Sequence, residues 1–321
     1  MKYIYAFFFC FSLCFISEKI VAKQLNDTLY LADPTIFVDK GNYYLYGTSS
    51  DQGFLVYVSK DLKTWKRKAG NDGFALKKGD AFGNKGFWAP QVFKRKNTYY
   101  MAYTADEQIA VALSKSPLGP FKQETLKAIS GTGKQIDPFV FNDTDGKNYL
   151  YHVKLDRGNR IFVTELKADF SDIIPETTQP CLTGTEPWEN TAKTDWPVTE
   201  GPTVLKKNNV YYLFYSANDF RNPDYAVGYA TSSSPKGPWV KYAGNPVISK
   251  KLLKINGTGH GDFFTDKNGA LQYVFHTHHN NQKVSPRATA IIKAVFVSDK
   301  NGSYHLQIDH KSFRFLIEGI N

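Results

Sequence analysis

The strongest constraint on the fold is a short pattern that returns five times along this chain of 321 residues. Each copy opens on a Pro or Gly step, continues as an apolar run, crosses a polar turn and enters an aromatic-rich strand. The openings are Ala32-Asp33-Pro34-Thr35, Trp88-Ala89-Pro90-Gln91, Ile136-Asp137-Pro138-Phe139, Glu200-Gly201-Pro202-Thr203 and His260-Gly261-Asp262-Phe263. Successive openings lie roughly 50 to 65 residues apart, a spacing that fits one propeller blade per repeat.

Two further strands can be traced in each repeat. The third strands span 54–58, 109–113, 161–166, 226–230 and 288–297, and weaker fourth strands are marked by Trp65, Phe121, Trp239 and Tyr304. Long helical periodicity is absent after the first segment. The pattern predicts an all-β, five-bladed β-propeller with four antiparallel strands per blade. A β-sandwich, the alternative, would not explain why the order of elements is the same in every repeat.

Closure of the ring requires the first and last blades to meet. Either Leu29–Leu31 or Phe313–Ile317 could supply the closing strand, and the sequence leaves that choice open.

The first segment has the composition of a secretory signal peptide. A basic start at Lys2 precedes an apolar run from Tyr3 to Ile16, and Ala22 offers a small residue for cleavage. We therefore expect residues 1–22 to be a signal peptide, 23–321 to form a single propeller domain without a membrane span, and the protein to be secreted or periplasmic. A retained membrane anchor is the alternative.

The number of cysteines and the distribution of basic residues exclude a disulfide framework and a nucleic-acid-binding surface. Only Cys181 lies beyond the first segment, so we expect no internal disulfide and interpret Cys181 as a buried small hydrophobe. The net charge of +10 comes mostly from scattered lysines. A nucleic-acid-binding surface shows clustered basic residues, so we expect no nucleic acid partner. We also expect the protein to be a monomer.

Three openings carry a carboxylate immediately before the Pro or Gly step. The first strand of each blade lines the channel of a propeller, so Asp33, Asp137 and Glu200 should converge at one mouth, in corresponding positions of repeats one, three and four. Like charges brought together raise the pKa of at least one carboxyl group, which supplies both a proton donor and an ionised acceptor. Trp88 could be an apolar wall for a sugar ring or part of the core. Each Asp-Pro step, taken alone, could equally be a turn cap.

These openings together resemble glycoside hydrolase family 43 across about Tyr30 to Val297. The motifs that carry the resemblance are Ala32-Asp33-Pro34, Phe87-Trp88-Ala89-Pro90, Ile136-Asp137-Pro138, Glu200-Gly201-Pro202 and Gly259-His260-Gly261. The resemblance implies a five-bladed propeller that cleaves arabinose- or xylose-containing oligosaccharides or polysaccharides with inversion, without a required cofactor.

The resemblance also implies roles for individual residues. Asp33 would be the general base, Glu200 the general acid, and Asp137 the residue that tunes and orients Glu200. Inversion implies that the Asp33 and Glu200 carboxyl groups lie roughly 6.5–9.5 Å apart. His260 would point into the channel, towards a structural Ca²⁺ or a water, and Arg287 would bond a sugar hydroxyl, so Trp88, His260 and Arg287 are the expected substrate-binding residues.

The choice of sugar stays open. The leading hypothesis is a secreted, exo-acting α-L-arabinofuranosidase on plant polysaccharide, with β-xylosidase or arabinanase as alternatives. A non-catalytic carbohydrate-binding propeller is the alternative from a different class, and a sialidase-type propeller fits poorly. The insertion 183–199, with Trp188 and Trp196, could build a rim around the site. The run His276–Asn281 could be a metal site, a pocket rim or an exposed loop.

Overall fold

The computed structural model describes residues 27–68, 70–131, 133–300 and 302–319. It is a five-bladed β-propeller, as the repeat predicts, with consecutive sheets arranged around a central channel. The predicted signal peptide, residues 1–22, lies outside the described residues. Within them, no helix combines the length and the apolar character needed to cross a membrane.

Blade 1 begins at the first repeat opening. Its strands are β1 (Ala32–Asp39), β2 (Asn42–Thr48), β3 (Gly53–Leu55), β4 (Tyr57–Ser59), β5 (Thr64–Arg67) and β6 (Phe74–Lys77). The main sheet has the order β1-β2-β4-β5, while β3 and β6 form a separate two-stranded sheet. The single strand expected over 54–58 is therefore split in two.

Blade 2 has three strands where four were predicted. They are β7 (Trp88–Arg95), β8 (Thr98–Ala105) and β9 (Gln108–Ser114). In place of a fourth strand, Lys122, next to Phe121, forms an isolated bridge with Leu113. The preceding segment contains Pro117 and Pro120, which cannot donate hydrogen bonds to a strand ladder.

Blades 3 to 5 have four strands each. Blade 3 consists of β10 (Gln135–Asn142), β11 (Asn148–Leu155), β12 (Asn159–Leu166) and β13 (Ile173–Leu182). Blade 4 consists of β14 (Thr199–Lys207), β15 (Val210–Ala217), β16 (Ala226–Ser232) and β17 (Val240–Lys241). Blade 5 consists of β18 (Gly259–Thr265), β19 (Leu271–Thr277), β20 (Ala288–Ser298) and β21 (Tyr304–Phe315).

Helical structure in the described residues is limited to short turns. The only α-helix there is α1 (Lys250–Leu253), and 3₁₀ turns occur at Asn71–Gly73 and Pro187–Glu189. The first 3₁₀ turn precedes β6, and the second lies inside the insertion before β14.

Both chain ends contribute to ring closure. The last strand, β22 (Ile317–Glu318), pairs in parallel with β5 of blade 1 after the chain leaves blade 5. Leu29 lies between the last segment of the chain and β20 of blade 5. Its N–H donates to the Leu316 carbonyl, and its carbonyl accepts from the Thr289 N–H. The structure thus uses both candidate segments.

The core consists of five apolar clusters, one between each pair of adjacent blades. Alternation along the aromatic strands explains this arrangement, since successive side chains of a strand point to opposite faces. In β15, for example, Tyr211, Leu213 and Tyr215 pack towards blade 3, while Tyr212 and Phe214 pack towards blade 5. Cys181 is partly buried against the cluster between blades 3 and 4.

Candidate active site

Each blade begins with the same backbone irregularity. Register shifts interrupt the pairing of the first two strands in all five blades. At each shift one residue has a positive φ of 44° to 58°, and these residues are Asp33, Ala89, Asp137, Gly201 and His260. A left-handed non-glycine residue costs about 1–2 kcal/mol, and such strain persists where the surrounding structure enforces it, often at functional sites.

The bulge corrects the predicted correspondence of the three carboxylates. Asp33 and Asp137 occupy the left-handed position together with His260, but Glu200 lies one residue earlier. The strand register places Glu200 level with Trp88 of blade 2. In blade 3 two consecutive residues, Ile136 and Asp137, both line the cleft at the mouth of the channel. Glu200 uses the first of these two positions, whereas Asp33 and Asp137 use the second.

A ring of hydrogen bonds links each left-handed residue to another blade. The N–H groups of Ala89, Asp137, His260 and Asp33 donate to Thr48 Oγ1, Thr104 Oγ1, Ser216 Oγ and His276 Nδ1. These four acceptors occupy the same position in the second strands, where blade 3 has Val153. Valine cannot accept a hydrogen bond, and Asp137 Oδ2 instead accepts from the Gly201 N–H at 3.2 Å. Asp137 therefore holds the residue next to Glu200.

Asp33 is buried beneath the mouth and held ionised. Arg287 Nη1 donates to its Oδ1 at 3.0 Å, and the Thr48 hydroxyl donates to its Oδ2 at 2.7 Å. Burial alone would raise the pKa of Asp33, but Arg287, His260, His276 and the Thr48 bond lower it well below its ordinary value. Arg287 is the dominant positive charge, because burial lowers the pKa values of both histidines and keeps them neutral near pH 7.

Glu200 is equally buried, but its pKa moves in the opposite direction. Its Oε1 accepts from the Tyr225 hydroxyl at 2.8 Å, and its Oε2 accepts from Asn159 Nδ2 at 2.8 Å. Burial and the charge of Asp33 outweigh these two bonds and the nearby Arg287, and raise the pKa of Glu200 to about 7. At neutral pH the site therefore holds a firmly ionised carboxylate, Asp33, beside a Glu200 carboxyl group that is only partly ionised.

Asp137 and Glu200 titrate as a pair. Burial, followed by repulsion from Glu200 and Asp33, raises the pKa of Asp137 well above its ordinary value, although the Gly201 N–H opposes the rise. Two interacting carboxyl groups share their protons, so the pair retains a proton at a pH where isolated carboxyl groups have lost theirs.

His260 lies between the two aspartates. Its Nδ1 is 3.4 Å from Asp33 Oδ1 and 3.8 Å from Asp137 Oδ2. Gly201 makes room for this ring, because a Cβ there would lie 2.8 Å from the imidazole. Below His260, the Asp262 carboxylate accepts from the hydroxyls of Thr35 and Thr203.

The residues of the channel do not form a complete calcium site. Ca²⁺ takes six to eight oxygen ligands, whereas the described residues contain no group of three or more His, Cys, Asp or Glu side chains arranged to hold a metal. Both Asp262 oxygens already accept from hydroxyl groups. The calcium ion stays a prediction.

The carboxylates open into a cleft of about 420 Å³. All six predicted site residues line it: Asp33, Trp88, Asp137, Glu200, His260 and Arg287. The rest of the lining consists of Trp196, which was a rim candidate, and six residues not proposed for the site: Ile136, Asn159, Val198, Asp219, Phe220 and Arg221. Trp88 is 37% exposed and Trp196 is 46% exposed. These two indoles thus offer partly open apolar surface at the cleft.

The two tryptophans of the insertion have different surroundings. Trp196 lines the cleft, as the rim hypothesis expects. Trp188 instead packs against Tyr215, with ring centroids 5.7 Å apart, and borders a separate cavity. Glu189, in the same 3₁₀ turn as Trp188, is buried and accepts hydrogen bonds from Tyr215 and Lys241.

Two histidines of the run His276–Asn281 contact residues that line the cleft. His276 is fully buried, accepts from the Asp33 N–H, and stacks on Tyr225 with ring centroids 5.7 Å apart. His278 Nε2 lies 2.8 Å from the carbonyl oxygen of Phe220, whose ring covers the Arg287 guanidinium at 4.6 Å. His276 and His278 are therefore neither an exposed loop nor ligands of one metal among the described residues.

Sequence reasoning missed the partners of the carboxylates. Thr48, Asn159, Tyr225 and His276 each contact Asp33 or Glu200. The sequence does contain a pattern for the hydroxyl partners, because Thr48, Thr104 and Ser216 each follow the aromatic stretch of a second strand. Asn159 and Tyr225 carry no comparable signal, because their positions depend on how the blades pack.

Comparison with known proteins gives consistent matches over most of the chain. A family model described as "Glycosyl hydrolases family 43" matches residues 28–300. A β-D-galactofuranosidase (xynD) of Aspergillus niger is 26% identical over 310 residues, covering 84% of this chain and 80% of that protein. The extracellular endo-α-(1→5)-L-arabinanase 2 of Bacillus subtilis is 25% identical, covering 94% of this chain and 71% of that protein.

A solved structure is also similar. The crystal structure titled endo-1,4-β-xylanase from Bacteroides thetaiotaomicron is 41% identical in sequence and superposes with a TM-score of 0.80. The match covers 88% of this chain and 95% of that chain.

Proposed function

The chain belongs to glycoside hydrolase family 43, a family of inverting O-glycosyl hydrolases, and on that premise we propose that it is a secreted, exo-acting α-L-arabinofuranosidase. The observation that carries the proposed chemistry is the opposite direction of the pKa shifts of Asp33 and Glu200 in one cleft. A binding module has no need of a proton donor beside an ionised acceptor, whereas glycoside hydrolysis requires both.

In this proposal Asp33 is the general base. It takes a proton from a water molecule as the water oxygen attacks the anomeric carbon. Its low pKa keeps it ionised, and its bonds to Arg287 and Thr48 restrict the orientation of the carboxylate. Inversion needs space for that water between base and acid, so a separation of roughly 6.5–9.5 Å between the two carboxyl groups stays a prediction.

Glu200 is the proposed general acid. It donates its proton to the glycosidic oxygen as the bond to the anomeric carbon breaks, which leaves Glu200 ionised and Asp33 protonated. Exchange of protons with solvent restores the starting state. Asp137 shares protons with Glu200 and accepts from the adjacent Gly201 N–H, which restricts the orientation of the acid.

The similar proteins support a furanoside or pentoside substrate. By their names, the galactofuranosidase acts on a furanoside and the arabinanase on an α-(1→5)-L-arabinan, and β-D-galactofuranose shares the ring configuration of α-L-arabinofuranose. Exo action is supported by two loops that border the cleft, one with Trp196 and one with Phe220. The extracellular arabinanase supports secretion, and an arabinose-containing plant polysaccharide is the proposed partner.

β-Xylosidase activity is the second candidate. It is favoured by the 41% identity to a structure titled endo-1,4-β-xylanase. Arabinofuranose and xylose present similar hydroxyl groups, so the charges of the cleft residues alone do not favour one sugar over the other.

A panel of aryl arabinofuranosides, xylosides and galactofuranosides tests the proposal. We expect the highest kcat/KM on the α-L-arabinofuranoside, and proton NMR should show the inverted anomer as first product. Asp33→Asn should reduce hydrolysis by about 10³-fold or more, in the range of general acid–base contributions. Asp39→Asn, at the other end of β1, is the matched control and should retain activity. Hydrolysis of no substrate, or retention of configuration, would contradict the proposed mechanism.

A further inference from the structure

The proposed general acid is connected to the cleft rim through two consecutive hydrogen bonds. Trp196 Nε1 donates to Asn159 Oδ1 at 2.9 Å, and Asn159 Nδ2 donates to Glu200 Oε2 at 2.8 Å. Trp196 is 46% exposed and lines the cleft, whereas Glu200 is 9% exposed. A side chain at the surface is thereby joined to the buried carboxyl group that must donate a proton.

The chemistry of these groups determines the direction of both bonds. An indole N–H can only donate, so the atom of Asn159 that faces Trp196 must be its carbonyl oxygen. The amide NH₂ must then face Glu200, and the Glu200 oxygen opposite it must accept. Oε2 is thus reserved as an acceptor, and a proton on the carboxyl group is directed to Oε1.

The other neighbour of Glu200 accommodates that proton. The Tyr225 hydroxyl lies 2.8 Å from Oε1 and can either donate or accept a hydrogen bond. A proton on Oε1 is therefore compatible with Tyr225, whereas a proton on Oε2 would face the NH₂ group of Asn159.

The backbone of Asn159 is held on both sides, which keeps its side chain within reach of Glu200. Its N–H donates to the Pro197 carbonyl at 2.9 Å, and its carbonyl accepts from the Thr199 hydroxyl at 3.0 Å. Gly158 permits this close approach, because a Cβ there would lie 2.6 Å from the Pro197 oxygen. Asn159 is therefore fixed to the strand that carries Glu200.

We propose, on the premise of the proposed function, that Asn159 is a positioning residue for the general acid, oriented by Trp196, and that this pair keeps the catalytic proton on Oε1 of Glu200. Trp196 thus acts on the acid through its N–H group, in addition to any contact of its indole face with sugar. A purely structural role for the pair would stabilise the loop without affecting proton donation.

Substrates whose leaving groups differ in their need for protonation distinguish the positioning role from a purely structural role. The dinitrophenolate group of a dinitrophenyl glycoside leaves without being protonated. Loss of methanol or phenol from a methyl or phenyl glycoside depends on protonation by the general acid. We expect Trp196→Phe, which retains an aromatic face but lacks the N–H, to lower kcat on the phenyl glycoside by about tenfold and to change kcat on the dinitrophenyl glycoside by less than about threefold. Asn159→Ala should show the same selectivity with a larger loss.

Trp88→Phe is the matched control, because Trp88 lines the same cleft at the position of blade 2 that corresponds to Glu200. Any loss it causes should be similar for the two substrates. The pH profile gives a second measurement. Asn159 stabilises the ionised form of Glu200, so Asn159→Ala should move the alkaline limb of kcat/KM to higher pH.

Equal losses on both substrates in Trp196→Phe and Asn159→Ala, with an unmoved alkaline limb, would overturn the positioning role while leaving the proposed function intact. Wild-type protein that cleaves none of the glycosides would overturn both. Melting curves identify a variant that fails to fold, and in that case Trp196→Phe, at the exposed rim, decides the outcome.

Discussion

Replacement of Glu200 by glutamine should make the protein more stable at alkaline pH while it removes the proposed acid. The pKa of Glu200 rises from an ordinary 4.5 to about 7 in the folded protein. A raised carboxyl pKa favours the folded state at low pH, and this contribution is lost as the pH rises towards the folded value. Glutamine does not ionise, so the variant should avoid that loss.

The size of the effect follows from the pKa. At about 1.36 kcal/mol per pKa unit, the rise corresponds to about 3 kcal/mol, most of which falls between pH 5 and pH 8.5. Release of repulsion on Asp137 adds to the gain in the same direction. The hydrogen bonds can be retained, since the glutamine oxygen can accept from Asn159 and its NH₂ can donate to Tyr225.

Urea unfolding of wild type and Glu200→Gln at pH 5 and pH 8.5 measures this difference. Comparison of the two pH values cancels contributions of the substitution that do not depend on pH. Glu165→Gln is the matched control, because Lys236 and Lys147 lower the pKa of Glu165. Its ionised form favours folding above its unfolded pKa, and both pH values lie above that pKa, so Glu165→Gln should lose a similar amount of stability at pH 5 and at pH 8.5.

A stability difference between Glu200→Gln and wild type that is the same at both pH values would refute the reasoning. It would mean that water or backbone relaxation solvates the Glu200 carboxylate as well in the fold as in the unfolded chain. The assignment of Glu200 as the proton donor at neutral pH would then lose its physical basis.

Three further outcomes follow from the same contacts. In wild-type protein, kcat/KM should fall as the pH rises through about 7, because Glu200 loses its proton, and a profile that stays flat to pH 9 would contradict this. Arg287→Met should raise the pKa of Asp33, so that a rate-versus-pH profile shows an acid limb at higher pH than in wild type. Gly201→Ala combines a positive φ with a contact 2.8 Å from His260, and urea unfolding should show a loss of at least about 1–2 kcal/mol.

Much of the fold could be predicted because its signals are local. Strand alternation, turn residues and the return of the openings every 50 to 65 residues are properties of short stretches of chain. Third strands expected over 109–113 and 226–230 appear as Gln108–Ser114 and Ala226–Ser232. The missing strand of blade 2 was not foreseen, since the pattern around Phe121 resembles that of the other blades.

The candidate site could be predicted as a set of residues but not as an arrangement. Asp33, Asp137 and Glu200 do converge on one cleft. The offset of Glu200 could be read by aligning Glu-Gly-Pro with Asp-Pro on the proline, but the positive φ that distinguishes the two positions could not. His276 likewise gives no sign in the sequence that it receives a hydrogen bond from a backbone 243 residues away.

The repeat alone therefore established a five-bladed ring and the carboxylates at its mouth, since both follow from residue types recurring at a fixed spacing. Tertiary structure decided which carboxyl group keeps its proton. That depends on burial and on contacts between blades, such as Arg287 with Asp33 and Asn159 with Glu200. Those contacts join residues up to 254 positions apart, and no local pattern records them.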